Sequence, residues 1–94
     1  MVHTKIVGKV YPHSSVSGLV YSELLDRLRD ISSTSPEVNQ YMTGEIDFVV
    51  IIPETVGDAL DTIGDVISNV EVTARVALGA IAGIKDVYIE AHQI

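Results

Sequence analysis

The sequence predicts an α+β fold, one domain over residues 1–94 in which helices lie on one face of an antiparallel sheet. Three observations predict it. Two stretches carry apolar residues at helical spacing. Residues near both ends alternate with the period of a strand. Between the helical stretches, two β-like runs fold back about Thr43-Gly44-Glu45.

Composition narrows the function classes. A hydrophobic fraction of 47% with three prolines argues for a packed globule and against disorder. A chain of 94 residues buries only ~60–65% of its unfolded surface, so self-association is an expected supplement. The net charge of −7, from six Lys plus Arg against thirteen Asp plus Glu, opposes direct binding to nucleic acid and docking on anionic membranes. With no cysteine, disulfides and thiolate metal sites are excluded. His3, Lys5 and Lys9 interrupt the apolar residues of the N-terminus, which does not read as a signal peptide, and a cytoplasmic protein is the expectation.

Val2 to Tyr11 alternates as a first strand, with Gly8 a bulge or a point of close approach, and Pro12 ends it. His13-Ser14-Ser15 offers caps for a helix whose apolar face is Val16, Leu19, Val20, Leu24, Leu28 and Ile31. Its charged side, including Glu23 and Arg27 at i, i+4 spacing, reads as a solvated face. Ser32 to Pro36 is a loop. Val38 to Pro53 then forms a hairpin in which Gly44 gives the backbone freedom for the reversal. Its second run, Ile46 to Ile52, is nearly all β-branched or aromatic. Asp47 is the anomaly there. A carboxylate in such a strand either reaches solvent at an edge or meets a polar ligand.

Thr55 caps a second helix with Asp58 at the capping-box position and Val56, Leu60, Ile63, Ile67 and Val70 as its apolar stripe. Asp58, Asp61 and Asp65 read as its solvated side, lacking the loop spacing of a calcium site. Val70 to Leu78 carries both periods. It alternates at first as a strand, while Val72, Val76 and Ala80 also align at helical spacing, which allows one helix to Ala82. Asn69 and the β-branched Val70, Val72 and Thr73 favour a strand. Gly79 and Gly83 bracket a short turn, and Lys85 to Ala91 alternates as a last strand.

Thr43-Gly44-Glu45-Ile46-Asp47-Phe48-Val49-Val50 resembles the TG-x-(Y/F)-D signature of the ligand-binding (RAM) domain of Lrp/AsnC-type regulators. Ile67 to Thr73 is similar to that family's "GV-x-x-T-x-T" step into its fourth strand, with Asn69 where glycine is usual and Arg75 where a second threonine is common. The resemblance implies a ferredoxin-like βαββαβ sandwich of the dimeric α+β barrel type, with an extra C-terminal strand. It implies a homodimer with sheets facing each other, associating into higher oligomers; no cofactor is assigned. The helix-turn-helix of such regulators has no counterpart in these residues. The expected role is therefore stand-alone sensing of a small amino acid, with transcription regulation exerted through a full-length relative. On that reading Thr43, Gly44, Glu45, Asp47, Thr73 and Arg75 hold the ligand at an interface between dimers. Asp47 takes the ammonium, Gly44, with no side chain in the way, lets backbone amides approach the carboxylate, Thr73 adds a hydroxyl from strand four, and Arg75 pairs with a ligand carboxylate or with Glu45.

Two rival classes stand beside it. One is a small dimeric α+β barrel enzyme of the cofactor-free monooxygenase or isomerase type, using Asp47, Tyr41 or His3. The other is a purely structural assembly module. His3, His13 and His92 lack metal-ligand spacing, and no serine lies in a G-x-S-x-G elbow. No catalytic residue or metal ligand is assigned.

Overall fold

The computed structural model describes residues 2–79 and 83–94. Four strands and two helices follow in the order β1 (Thr4–Pro12), α1 (Ser17–Ile31), β2 (Glu37–Gln40), β3 (Ile46–Ile52), α2 (Val56–Leu78) and β4 (Ile84–Gln93). A short 3₁₀ turn at Ser14–Val16 leads into α1, with His13 Nδ1 accepting the Ser15 amide at 3.3 Å. The sheet runs β2-β3-β1-β4, and every neighbouring pair is antiparallel. The molecule is thus an α+β protein with a four-stranded antiparallel sheet and two helices.

Both helices lie on one face. From β1, Thr4, Ile6, Gly8, Val10 and Pro12 are buried, and from β3, Ile46, Phe48, Val50 and Ile52. This is the period-two pattern of a half-covered sheet. Val20, Leu24 and Leu28 of α1 and Ala59, Ile63, Val70 and Ala74 of α2 close the core over them. The only buried polar side chain among the described residues, Thr4, donates its hydroxyl to the Glu54 carbonyl at 2.8 Å. Gly8 lies directly opposite Phe48, and a Cβ there would collide with the Phe48 ring. Gly8 is therefore a site of close approach. The strand's irregularity falls instead between Tyr11 and Pro12, against β4.

The segment from Val70 to Leu78 is not a strand. It is the C-terminal third of α2, a single helix of 23 residues. Ala59, Ile63, Val66, Val70 and Ala74 recur every three or four residues and are buried along its whole length. Tertiary packing of that stripe outweighs the β preference of Val70, Val72 and Thr73, which costs only tenths of a kcal/mol per residue. Val72 and Val76, which align at helical period, face solvent (52% and 77% exposed), and Leu60 of the expected stripe is 42% exposed. Glu71 then ties the helix to the sheet, its Oε2 accepting the Ile84 amide at 2.6 Å. The strand expected at Lys85 to Ala91 is β4 itself, so the sheet has four strands and not five. The turn expected between Gly79 and Gly83 lies outside the described residues.

Candidate functional site

The helix-free face of the sheet carries the polar chemistry. Register aligns Asn39, Asp47, Lys9 and Tyr88 in one row across all four strands. A second row is Glu37, Val49, Val7 and Glu90, and a third joins Ile51, Lys5 and His92. Tyr11, opposite Asp86, lies next to the first row at the end where the β2–β3 loop returns.

That loop, residues 41–45, closes on itself. The Gly44 amide donates to the Tyr41 carbonyl and the Tyr41 amide to the Glu45 carbonyl, both at 2.9 Å. Gly44 has φ +94°, a region that residues with a Cβ enter only with strain. Its amide is spent inside the turn and is not free for a ligand carboxylate.

Tyr11, Glu45 and Asp47 form the focus. The Tyr11 hydroxyl lies beside the Glu45 carboxylate, which raises the phenol above its ordinary range and lowers the Glu45 carboxyl. Asp47, two residues on and half-buried, goes the other way. Desolvation, then the neighbouring Glu45 carboxylate, raises its carboxyl, while the Lys9 charge opposes the rise. Asp47 Oδ1 is shut off from solvent and has no hydrogen-bond partner among the described residues. Glu45 thus stays ionised beside a carboxyl that retains its proton to higher pH, an arrangement able to accept a cation and to donate one hydrogen bond.

Of the six residues expected to bind a ligand, Thr43, Gly44, Glu45 and Asp47 are together on the loop and the start of β3. Thr73 and Arg75 are not on a neighbouring strand. They sit on α2, where the Thr73 hydroxyl bonds the Asn69 carbonyl at 3.1 Å and Arg75 lies 3.5 Å from Glu71. A helical residue that satisfies its own turn has no route to the open face of the sheet. Lys9 and Tyr11 take their place as neighbours of Asp47: the β1–β3 register sets Lys9 opposite it, and Tyr11 follows two residues on along the same face of β1. Tyr41 contributes a hydroxyl that favours the ionised form of Asp47. His3 lies before β1, at the opposite end of that strand from Lys9, with its carbonyl accepting the Ile94 amide at 3.0 Å.

Among the described residues no three His, Asp or Glu side chains gather as a metal site, and no helix is long and apolar enough to cross a membrane. Comparison with models of known families and with curated proteins found no match to this chain.

Proposed function

We propose that this chain is an oligomerising domain that senses a small ammonium-bearing molecule such as an amino acid, on a ferredoxin-like scaffold like that of Lrp/AsnC effector domains. The observation that carries the reading is Asp47. Its Oδ1 is withdrawn from water without a partner among the described residues, next to an ionised Glu45, on the one face of the sheet the helices leave open. A primary ammonium offers three donors, enough to satisfy Asp47, Glu45 and the Tyr11 oxygen together. Lys9, across the β1–β3 ladder from Asp47, is the cation nearest in register for the ligand's carboxylate, in place of Arg75.

The strand order β2-β3-β1-β4, with both helices on one side, supports the ferredoxin-like assignment. The half-buried Val7, Val49 and Ile51 on the open face favour a homodimer with facing sheets, which would enclose the acidic cluster in a seam. Higher oligomers and association with a helix-turn-helix-bearing relative extend the same reading, and a net charge of −7 keeps this chain itself from binding DNA. The two described cavities lie between α2 and β4 and beside the loop after α1, and neither includes Asp47, so the binding site on this reading is one that a second subunit completes.

Titration calorimetry of the protein against the common amino acids tests the proposal. The expected result is saturable binding of one or a few of them, lost in Asp47→Ala while the circular dichroism spectrum is unchanged. Absence of heat from every amino acid, or binding indifferent to Asp47→Ala, overturns it.

A further inference from the structure

Beyond that reading, and independent of it, the structure assigns a second self-association surface: the free edge of β4, which we infer pairs with β4 of a second copy about a two-fold axis, with Ile89 opposite Ile89. β4 is a ten-residue edge strand, bonded on one side by β1. A long edge of this kind leaves a row of backbone donors and acceptors ready to accept another strand. The opposite edge, β2, has four residues and offers far less.

The side chains of β4 complement their own two-fold image in one register. With Ile89 on the axis, Asp86 meets His92, Tyr88 meets Glu90 and Val87 meets Ala91. Every residue from Asp86 to His92 is used, each beside a residue of the same sheet face, and the run stops short of the irregularity at Lys85. Both kinds of polar pair are favourable. Within one chain Tyr88 already donates to Glu90 at 2.7 Å, and His92 lies 3.7 Å from Glu90, so these groups are oriented along the open face. A two-residue slip one way, with Tyr88 on the axis, sets Asp86 against Glu90 twice. A slip the other way sets Glu90 against itself. Like charges directly opposed destabilise a ladder, so the charge pattern selects one register and rejects its neighbours.

The helix face supports the same pairing. The two helices do not fully cover β4, and Val87, Ile89 and Ala91 are only half-buried there. Leu60, Gly64 and Ile67 of α2 follow at helical spacing along the side facing this overhang, and Gly64 and Ile67 with Ile84 and Val87 line a groove of about 360 Å³. Continuing the sheet through the two-fold brings the second copy's Val87, Ile89 and Ala91 against that apolar rim.

Because the chain has no cysteine, single-cysteine variants read the register directly. Ile89→Cys alone is expected to form a disulfide-linked dimer under mild oxidation, since directly opposed strand residues lie within disulfide reach. Val87→Cys and Ala91→Cys are expected to cross-link with each other when mixed, several-fold more than either does alone. Tyr88→Cys and the distant His13→Cys serve as controls, and circular dichroism verifies each fold before oxidation. As a measurement free of cysteine, Asp86→Lys and His92→Glu are each expected to weaken wild-type self-association in sedimentation. The double variant, which restores opposite charges across the axis, is expected to recover it. Cross-linking of the Ile89→Cys variant no greater than that of His13→Cys, stronger cross-linking of Tyr88→Cys, or a double charge variant no better than its singles overturns the pairing.

Discussion

The two faces of this sheet are built from the same strands and do opposite work. On the helix side, alternate positions of β1 and β3 are apolar, glycine or a satisfied threonine, and all are buried. On the other side, the intervening positions mix Lys5, Lys9, Tyr11 and Asp47 with Val7, Val49 and Ile51. The pleat separates them completely, because successive side chains point to opposite faces. Stability is concentrated on the first face, which leaves the second free to hold a carboxyl in an unfavourable state. A cluster like Tyr11, Glu45 and Asp47 is tolerable because the strands behind it are anchored in the core, β3 by Ile46 and Phe48 and β1 by Val10.

The largest blow to that division falls on the covered face at Gly8. Gly8→Ala would drive a methyl into the Phe48 ring, which is 1% exposed and has no room to turn away. Overpacking of this kind is expected to cost about 3 kcal/mol, which chemical denaturation measures as a lower midpoint at unchanged slope. The neighbouring open-face change Val7→Ala should cost far less in dilute protein. Equal costs would mean that the open face is as tightly packed as the core.

Next comes the anchor between helix and sheet. Glu71→Ala removes the acceptor of the Ile84 amide and leaves that part-buried donor unpaired, an expected loss of about 1–3 kcal/mol. Local hydrogen exchange at Ile84 should rise with it. Normal protection of that amide in the variant would show that the carboxylate is dispensable.

The smallest effect sharpens the contrast from the open side. Asp47 binds its proton more tightly folded than unfolded, so its contribution to stability declines as pH rises from its ordinary value through its raised one. Glu45, with its carboxyl lowered, contributes in the opposite sense at lower pH, its benefit lost as pH falls through its folded value. Asp47→Asn should therefore leave stability at pH 7 equal to or above that of wild type and flatten the decline above pH ~4, the ordinary range of an aspartate. Thermal melts between pH 4 and 7 measure it. A variant less stable than wild type at pH 7 would show that the charged form of Asp47 is favoured by the fold.

How far the sequence discloses this architecture differs between segments for physical reasons. The hairpin at 38–52 is legible because Gly44 and a β-branched run point to the same answer locally. Asp47 is legible as an anomaly by its chemistry alone. Val70 to Leu78 is not legible, because its alternation satisfies a strand while Val70 and Ala74 extend a helical stripe begun at Ala59. The choice between them rests on burial against distant strands and on Glu71 reaching Ile84, neither of which is local. Thr73 and Arg75 enter the expected site with that segment and leave it for the same cause. Lys9 joins the site through strand register, a property of the pairing rather than of either strand, and Tyr11 follows it along the same face of β1.

The position of β1 has a consequence for how this chain matures on the ribosome. β1 is central, yet its two partners are the third and the last strands, and Gly8 meets Phe48 on one side and Ile89 on the other. Synthesis therefore delivers the first strand long before its longest ladder can form, and until residues 84–93 emerge β1 presents an open, apolar edge. Late closure of this kind slows folding and exposes nascent chains to mispairing. Lys5 and Lys9 lie on either side of Val7 along that waiting strand, and charges so placed disfavour the addition of a second chain.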